Sequence, residues 1–223
     1  MGIKGIFFDA ADVFYRRPAS TQEYVQSLLM EKGLATGLAV QGQMRHKALR
    51  AQAMKGHISP DEYWDQLLLM HGLTASEERQ TLVGKINAYS NRVIAIPGGR
   101  DTLVALKQRG FVLGIVTDTM YPLEWKMRWL AAVGVAEFID VVACSTVLGI
   151  QKPEPGIYLD AVQKANLTVT ASAFVGHDAG EIDGARHVGL KTVAVLCDPH
   201  VQADYYAETL PDLLNVPIFQ SAN

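Results

Sequence analysis

Cysteine is scarce in this chain: Cys144 and Cys197 are its only two in 223 residues. Two cysteines so far apart cannot build a disulfide framework or a cysteine zinc site, and both lie in apolar stretches, VVACS and AVLCD. They are expected to be buried free thiols of a reducing compartment. An excess of one charge is also missing, with 20 Lys and Arg against 23 Asp and Glu, a net −3. With the basic residues scattered, nothing points to a nucleic acid or a membrane surface as partner. No apolar run approaches the roughly 18 residues of a membrane span. The first six residues carry one lysine and no leader-like segment, so a cytoplasmic protein is expected. Repeats and low-complexity tracts are absent as well.

Apolar residues are plentiful, at 49%, enough for a sizeable core. Five β-rich runs stand out: 4–8, 112–117, 138–143, 173–176 and 191–196. Most are continuously apolar rather than alternating, as in strands buried on both faces of a parallel sheet. Helical patterns at 101–109, 123–133, 156–165 and 181–188 separate them. Strand and helix in alternation predict a doubly wound, Rossmann-like α/β core.

Between the first two strands the pattern changes. Residues 21–32, 42–54, 60–70 and 76–88 show apolar spacings of three and four, with hardly any strand signal. Ser59-Pro60-Asp61-Glu62 combines a cap, a first-turn proline and early acids. We therefore expect an α/β core of residues 1–16 and 93–223 with an all-helical cap of residues 17–92 inserted into it. Pro97-Gly98-Gly99 returns the chain to the core. That glycine pair lacks the Lys-hydroxyl spacing of a phosphate loop, so a hinge is expected. Ligands bind beyond the carboxyl ends of parallel strands, and a helical insert there would act as a lid.

Polar residues collect at those same strand ends. Asp9 ends the first strand in IFFDAADVF, Thr117 and Asp118 end the second in GIVTDT, and Lys152 follows the third in GIQKPEPGIY. His177, Asp178 and Glu181 follow the fourth in VGHDAGEIDGAR. Each alone is an ordinary turn or cap residue; together they surround one crevice.

These motifs, in this order, make the chain resemble the haloacid dehalogenase-like hydrolases that carry a helical cap after the first motif. The resemblance spans essentially the whole chain. It implies that Asp9 is a nucleophile forming a covalent intermediate, that Thr117 binds the transferring group, and that Lys152 neutralises charge around both. In the phosphotransfer members the acidic turn holds Mg²⁺, here a set of Asp9, Ala11, Asp178 and Glu181. Asp118, Tyr15 and Tyr158 are the substrate-binding candidates, with Tyr158 where the dehalogenases carry a tyrosine. The partner is then a small anionic molecule, and the protein a monomer or homodimer.

Two departures bear on the reaction. The second acid of the Asp-x-Asp motif, which protonates the leaving group, is replaced by Ala11. Asp12 stands one residue further, where a changed side-chain direction is expected, so acid–base work and a turn cap are both open to it. In the fourth motif His177 takes the place of the first metal-binding aspartate, and imidazole suits Mg²⁺ poorly. A phosphoester hydrolase acting on a small phosphorylated metabolite is the leading expectation.

Carbon–halogen hydrolysis is the alternative, since a halide leaves without a proton and needs no metal. Arg45 and Arg50 are loosely placed candidates for its halide-binding arginine, although an exposed helix face fits both, and Val13 replaces a hydroxyl residue common at that position. Phosphonate cleavage would need a cap lysine, for which Lys32, Lys47 and Lys55 are available. A catalytically weak binding module is the third reading. His46, His57 and His71 are expected on the cap surface, and Trp64, Trp125 and Trp129 in packing roles.

Overall fold

The computed structural model describes residues 2–197 and 200–221, so the outermost ends of the expected core and residues 198–199 lie outside the described residues. The chain opens with β1 (Gly5–Phe8), the four-residue run GIFF, every position of which is buried. A short β2 (Tyr15–Arg16) leads into helices α1 (Thr21–Glu31), α2 (Val40–Met54), α3 (Pro60–Met70) and α4 (Ser76–Ser90). From there β3 (Ile94–Ala95) and α5 (Gly99–Gln108) bring the chain to β4 (Val112–Thr117). Next come α6 (Leu123–Ala132), β5 (Val141–Cys144), α7 (Ser145–Leu148), α8 (Pro155–Lys164) and β6 (Ser172–Gly176). The described elements end with α9 (Ala179–His187), β7 (Lys191–Val195), β8 (Tyr205–Ala207) and two short 3₁₀ turns.

Six strands form one sheet in the order β5-β4-β1-β6-β7-β8, and every pairing in it is parallel. β1 lies in the middle, with Gly5 opposite Val112 on one side and Ser172 on the other. The strand order therefore reverses at β1, and the crevice at such a switch point lies beyond the carboxyl ends of β1, β4 and β6. Each face of the sheet is covered by its own apolar layer. Phe8, Leu113, Ile115 and Trp129 belong to one, and Phe7, Val116, Tyr158 and Phe174 to the other.

The helical run from α1 to α4 encloses a third apolar cluster, in which Val25, Leu29, Leu68 and Ile86 are buried together. Its helices start where local chemistry dictates. Ser20 and Glu23 form a reciprocal capping box on α1, and the Ser59 hydroxyl accepts from the Glu62 N–H at the start of α3, whose first residue is Pro60. At the neck of this run β2 and β3 pair antiparallel, Tyr15 opposite Ala95 and Arg16 opposite Ile94. Further links tie the run to the rest of the chain. The Trp64 indole N–H donates to the Tyr121 hydroxyl at 3.1 Å, and Lys55 pairs with Glu154 at 2.8 Å.

Three details differ from the expectations. β5 starts at Val141 rather than at 138, because Ala136–Phe138 is a 3₁₀ turn and the Asp140 carboxylate takes the Leu113 N–H at 2.8 Å, ending the ladder there. β2 and β3 are two residues each, too short to leave a periodic signal. β8 is a three-residue edge strand with one of its residues buried. No described helix is long and apolar enough to cross a membrane.

Candidate active site

Asp9 follows directly on β1, and its backbone N–H donates to the Val175 carbonyl of β6 at 2.9 Å. Pinning the main chain on the neighbouring strand fixes the direction of the side chain, whose residue is only 5% exposed. Lys152 arrives from the loop before α8, 4% exposed. Its ammonium donates to Asp9 Oδ1 at 2.5 Å and lies 2.8 Å from Glu181 Oε1. Glu181 comes from the first turn of α9. That helix can press against the lysine loop because Gly184 has no side chain: a Cβ there would stand 2.6 Å from Pro153 Cβ and 2.9 Å from the Tyr158 hydroxyl.

Three carboxylates act on this one ammonium: Asp9 and Glu181 by contact, and Asp118, which accepts from the Lys152 backbone N–H at 3.1 Å, through its charge. Burial disfavours the charge on Lys152, but Asp9, Glu181 and Asp118 together outweigh it and hold its pKa above that of an ordinary lysine. One ammonium cannot satisfy three clustered carboxylates, of which Asp9 is buried and Asp118 and Glu181 are half-buried. Burial first, and then the charge of Asp9, push Glu181 up to about 8 against the pull of Lys152, and burial likewise raises Asp118.

Glu181 therefore has a folded-state pKa above its unfolded one, so the folded protein binds the extra proton. Its stability contribution is complete below the unfolded value and is lost as pH rises toward about 8. The metal-free protein should show a melting temperature that falls between pH 5 and 8, and Glu181→Gln should flatten that slope; scanning fluorimetry across the range is the check.

Thr117 is fully buried at the end of β4. Tyr158 is buried beneath the site, where its hydroxyl donates to the Glu181 carbonyl at 2.7 Å and braces the first turn of α9. Asp178 is exposed and caps α9, accepting the Glu181 N–H at 3.0 Å. His177 turns inward in its place, with Nδ1 3.8 Å from Asp9 Oδ2. Asp12 sits in a left-handed turn at φ 57° with its side chain in solvent, and its N–H donates to the Tyr15 carbonyl. Of the residues anticipated from the motifs, the structure thus gathers Asp9, Asp118, Lys152 and Glu181, and it directs Asp12 and Asp178 elsewhere.

Beside this array a cavity of about 460 Å³ opens between the strand ends and the helical run, lined from below by Ala11, Tyr15 and Asp118. Its size suits a small metabolite. His46 and His71, expected on the surface, line it instead, His46 bonded to the Tyr63 hydroxyl at 2.8 Å and His71 to the Ala35 carbonyl at 2.8 Å. Arg50 reaches its rim, whereas Arg45 is not among the lining residues. Two further lining cations belong to none of the motifs, Arg17 and Lys126. Lys126 is 2% exposed and falls in phase with Trp129 and Leu130 on the inner face of α6. A lysine at the buried positions of an amphipathic helix is the signal that would have found it.

A buried acid–ammonium–acid array at the switch point of a doubly wound sheet marks an enzyme rather than a passive scaffold. Residues 57–195 match the family described as haloacid dehalogenase-like hydrolase, and the chain belongs to that family. Glyceraldehyde 3-phosphate phosphatase of Pyrococcus furiosus is 27% identical over 227 residues, covering 96% of this chain and 92% of its own. The fold is shared with a 2-haloacid dehalogenase from Pseudomonas syringae pv. tomato, with a TM-score of 0.70, 20% identity, and 96% and 97% of the two chains covered. A HAD-hydrolase from Bacillus subtilis solved with magnesium superposes with a TM-score of 0.71 at 20% identity over 97% and 99%.

Proposed function

We propose that this protein hydrolyses a small phosphomonoester through an aspartyl phosphate formed on Asp9. The observation that carries this reading is the buried contact between Lys152 and Asp9. An anionic nucleophile and an anionic phosphoryl group repel each other, and a buried ammonium already seated on the nucleophile offsets that repulsion before the substrate arrives. Lys152 occupies Oδ1, which leaves Oδ2 to attack phosphorus. The Thr117 hydroxyl and the main chain around Asp118 would orient the phosphoryl oxygens, and water would then release phosphate from Asp9. The phosphatase relatives support this reading.

Three donor side chains converge on one point at the nucleophile. Ligand atoms of Asp9, His177 and Glu181 lie within 4.8 Å of one another, and buried His177 Nδ1 and Glu181 Oε2 lack hydrogen-bond partners. These atoms fit a cation, with two carboxylates suited to Mg²⁺ and one imidazole better suited to softer ions. When bound, the ion would neutralise charge on the phosphoryl oxygens. Ala11 can add only a backbone carbonyl to this set, and Asp178 stays on its helix cap.

Purified protein assayed on a panel of phosphoesters with and without EDTA tests the proposal, and absence of phosphate release under every condition rejects it. Ala11 favours one competing reading, hydrolysis of a carbon–halogen bond, whose leaving group needs no proton. Halide release from a 2-haloacid that is insensitive to EDTA would support that reading.

Ala11 also yields a prediction for the phosphatase. Without an acid to protonate the departing oxygen, alkyl phosphates should react slowly and p-nitrophenyl phosphate comparatively fast. Ala11 lines the cavity two residues beyond Asp9, where a carboxyl would face the ester. Ala11→Asp should raise kcat on alkyl phosphates about 10²-fold, the range of one general acid, while leaving p-nitrophenyl phosphate little changed. Parallel kinetics on the two esters check this.

A further inference from the structure

Lys126 and Arg17 meet in the wall of the cavity, both over the indole of Trp129. The Lys126 ammonium stands 5.6 Å and the Arg17 guanidinium carbon 4.6 Å from the ring centroid. The partners of Lys126 are neutral groups, the Tyr15 hydroxyl at 2.9 Å and the Asp118 carbonyl at 3.4 Å. Arg17 donates to the Ser90 carbonyl at 2.9 Å. Among the described residues neither cation forms an ion pair. Among the described residues Asp118 is the single carboxylate lining the cavity, and its Oδ1 accepts from the Lys152 backbone N–H. The cavity wall thus carries more positive charge than it neutralises.

Burying a lysine without a paired anion is costly, and ring faces, a phenol, carbonyls and the charge of Asp118, which Lys152 also draws on, recover only part of the loss. An anionic ligand group would recover the rest. The phosphoryl group is already provided for by Asp9, Thr117 and Lys152, and neither Asp9 nor Lys152 lines this cavity. We propose that Lys126 and Arg17 form a second anion subsite, and that the substrate is a phosphomonoester bearing a further negative group, a carboxylate or second phosphate, on a short linker. This inference rests on the phosphatase reading and narrows it to one substrate class.

The test pairs esters that differ only in the tail: 2-phosphoglycolate with ethyl phosphate, 3-phosphoglycerate with glycerol 3-phosphate, and propane-1,3-diol bisphosphate with propyl phosphate. Holoenzyme should show kcat/KM at least about tenfold higher for the anionic-tail member, the range of a hydrogen bond to a charged group. Whether the first two pairs or the third show the larger ratio identifies carboxylate or phosphate as the favoured tail. Lys126→Met, or Arg17→Gln should the first variant fail to fold, should bring the ratio to within about threefold. A merely structural lysine would slow both members alike. Equal rates on the two members, or a parallel loss in the variants, overturns the subsite while leaving the phosphatase reading intact. Calorimetry on Asp9→Asn protein reads the subsite without turnover. There 2-phosphoglycolate should bind at least about tenfold tighter than ethyl phosphate, and equal binding, or none, overturns the proposal even if no ester is hydrolysed.

Discussion

With Asp9 replaced by Asn, phosphate release should fall about 10⁴-fold or more, the scale of losing a nucleophile rather than a binding contact. An amide oxygen keeps the shape of the carboxylate and can still accept from Lys152, so the loss would reflect nucleophilicity and not collapse of the site. Two readouts separate these causes. Acid-quenched wild-type enzyme should retain label from a ³²P-labelled ester on the protein, and the variant should retain none. The variant should also melt with a weaker pH dependence, because the charge of Asp9 is the second cause, after burial, of the raised Glu181 pKa. A variant that retains label and a tenth of its activity would refute Asp9 as the nucleophile.

Lys152→Met should damage stability more than Asp9→Asn does, and should lower turnover as well. Methionine preserves most of the volume, but removes the one ammonium among the described residues within hydrogen-bond distance of Asp9 and Glu181. Breaking a buried ion pair by deleting one partner costs about 3–5 kcal/mol, which in a chain of this size lowers the melting temperature by roughly 6–20 °C. The loss should be larger at pH 8 than at pH 5, where Glu181 takes up a proton and the uncompensated charge shrinks. Lys152→Met combined with Glu181→Gln should regain part of the lost stability without regaining activity. Calorimetric melting of the two variants at both pH values decides the matter. Equal stability of wild type and Lys152→Met at pH 8 would mean that the ammonium does not hold the array together.

The continuously apolar runs of the sheet were legible in the amino-acid order because strands buried on both faces leave no alternation to misread. Pro60–Met70 was legible to the residue, since Ser59, Pro60 and the following acids are start signals that act locally. The site was half legible. Asp9 and Lys152 are identified by their motifs, but 143 positions separate them and only the sheet order brings them together. His177 faces Asp9 from the place the motif gives it, while Asp178, the other candidate there, caps α9, a competition between neighbours that spacing alone does not resolve. Lys126 escaped notice because its ammonium is held by Tyr15, a residue of the neck strand 111 positions away. β2 and β3 went unseen for a simpler reason: two residues carry no period.

The four helices between β2 and β3 enclose an apolar cluster of their own, apart from the two that sandwich the sheet. Mutational tolerance is therefore partitioned along the chain. Substitutions within that cluster can reshape the roof of the cavity while β1 keeps its place. In descent, molecular diet can drift faster than bond-breaking apparatus, and divergent lineages built on this plan would differ first in what they admit.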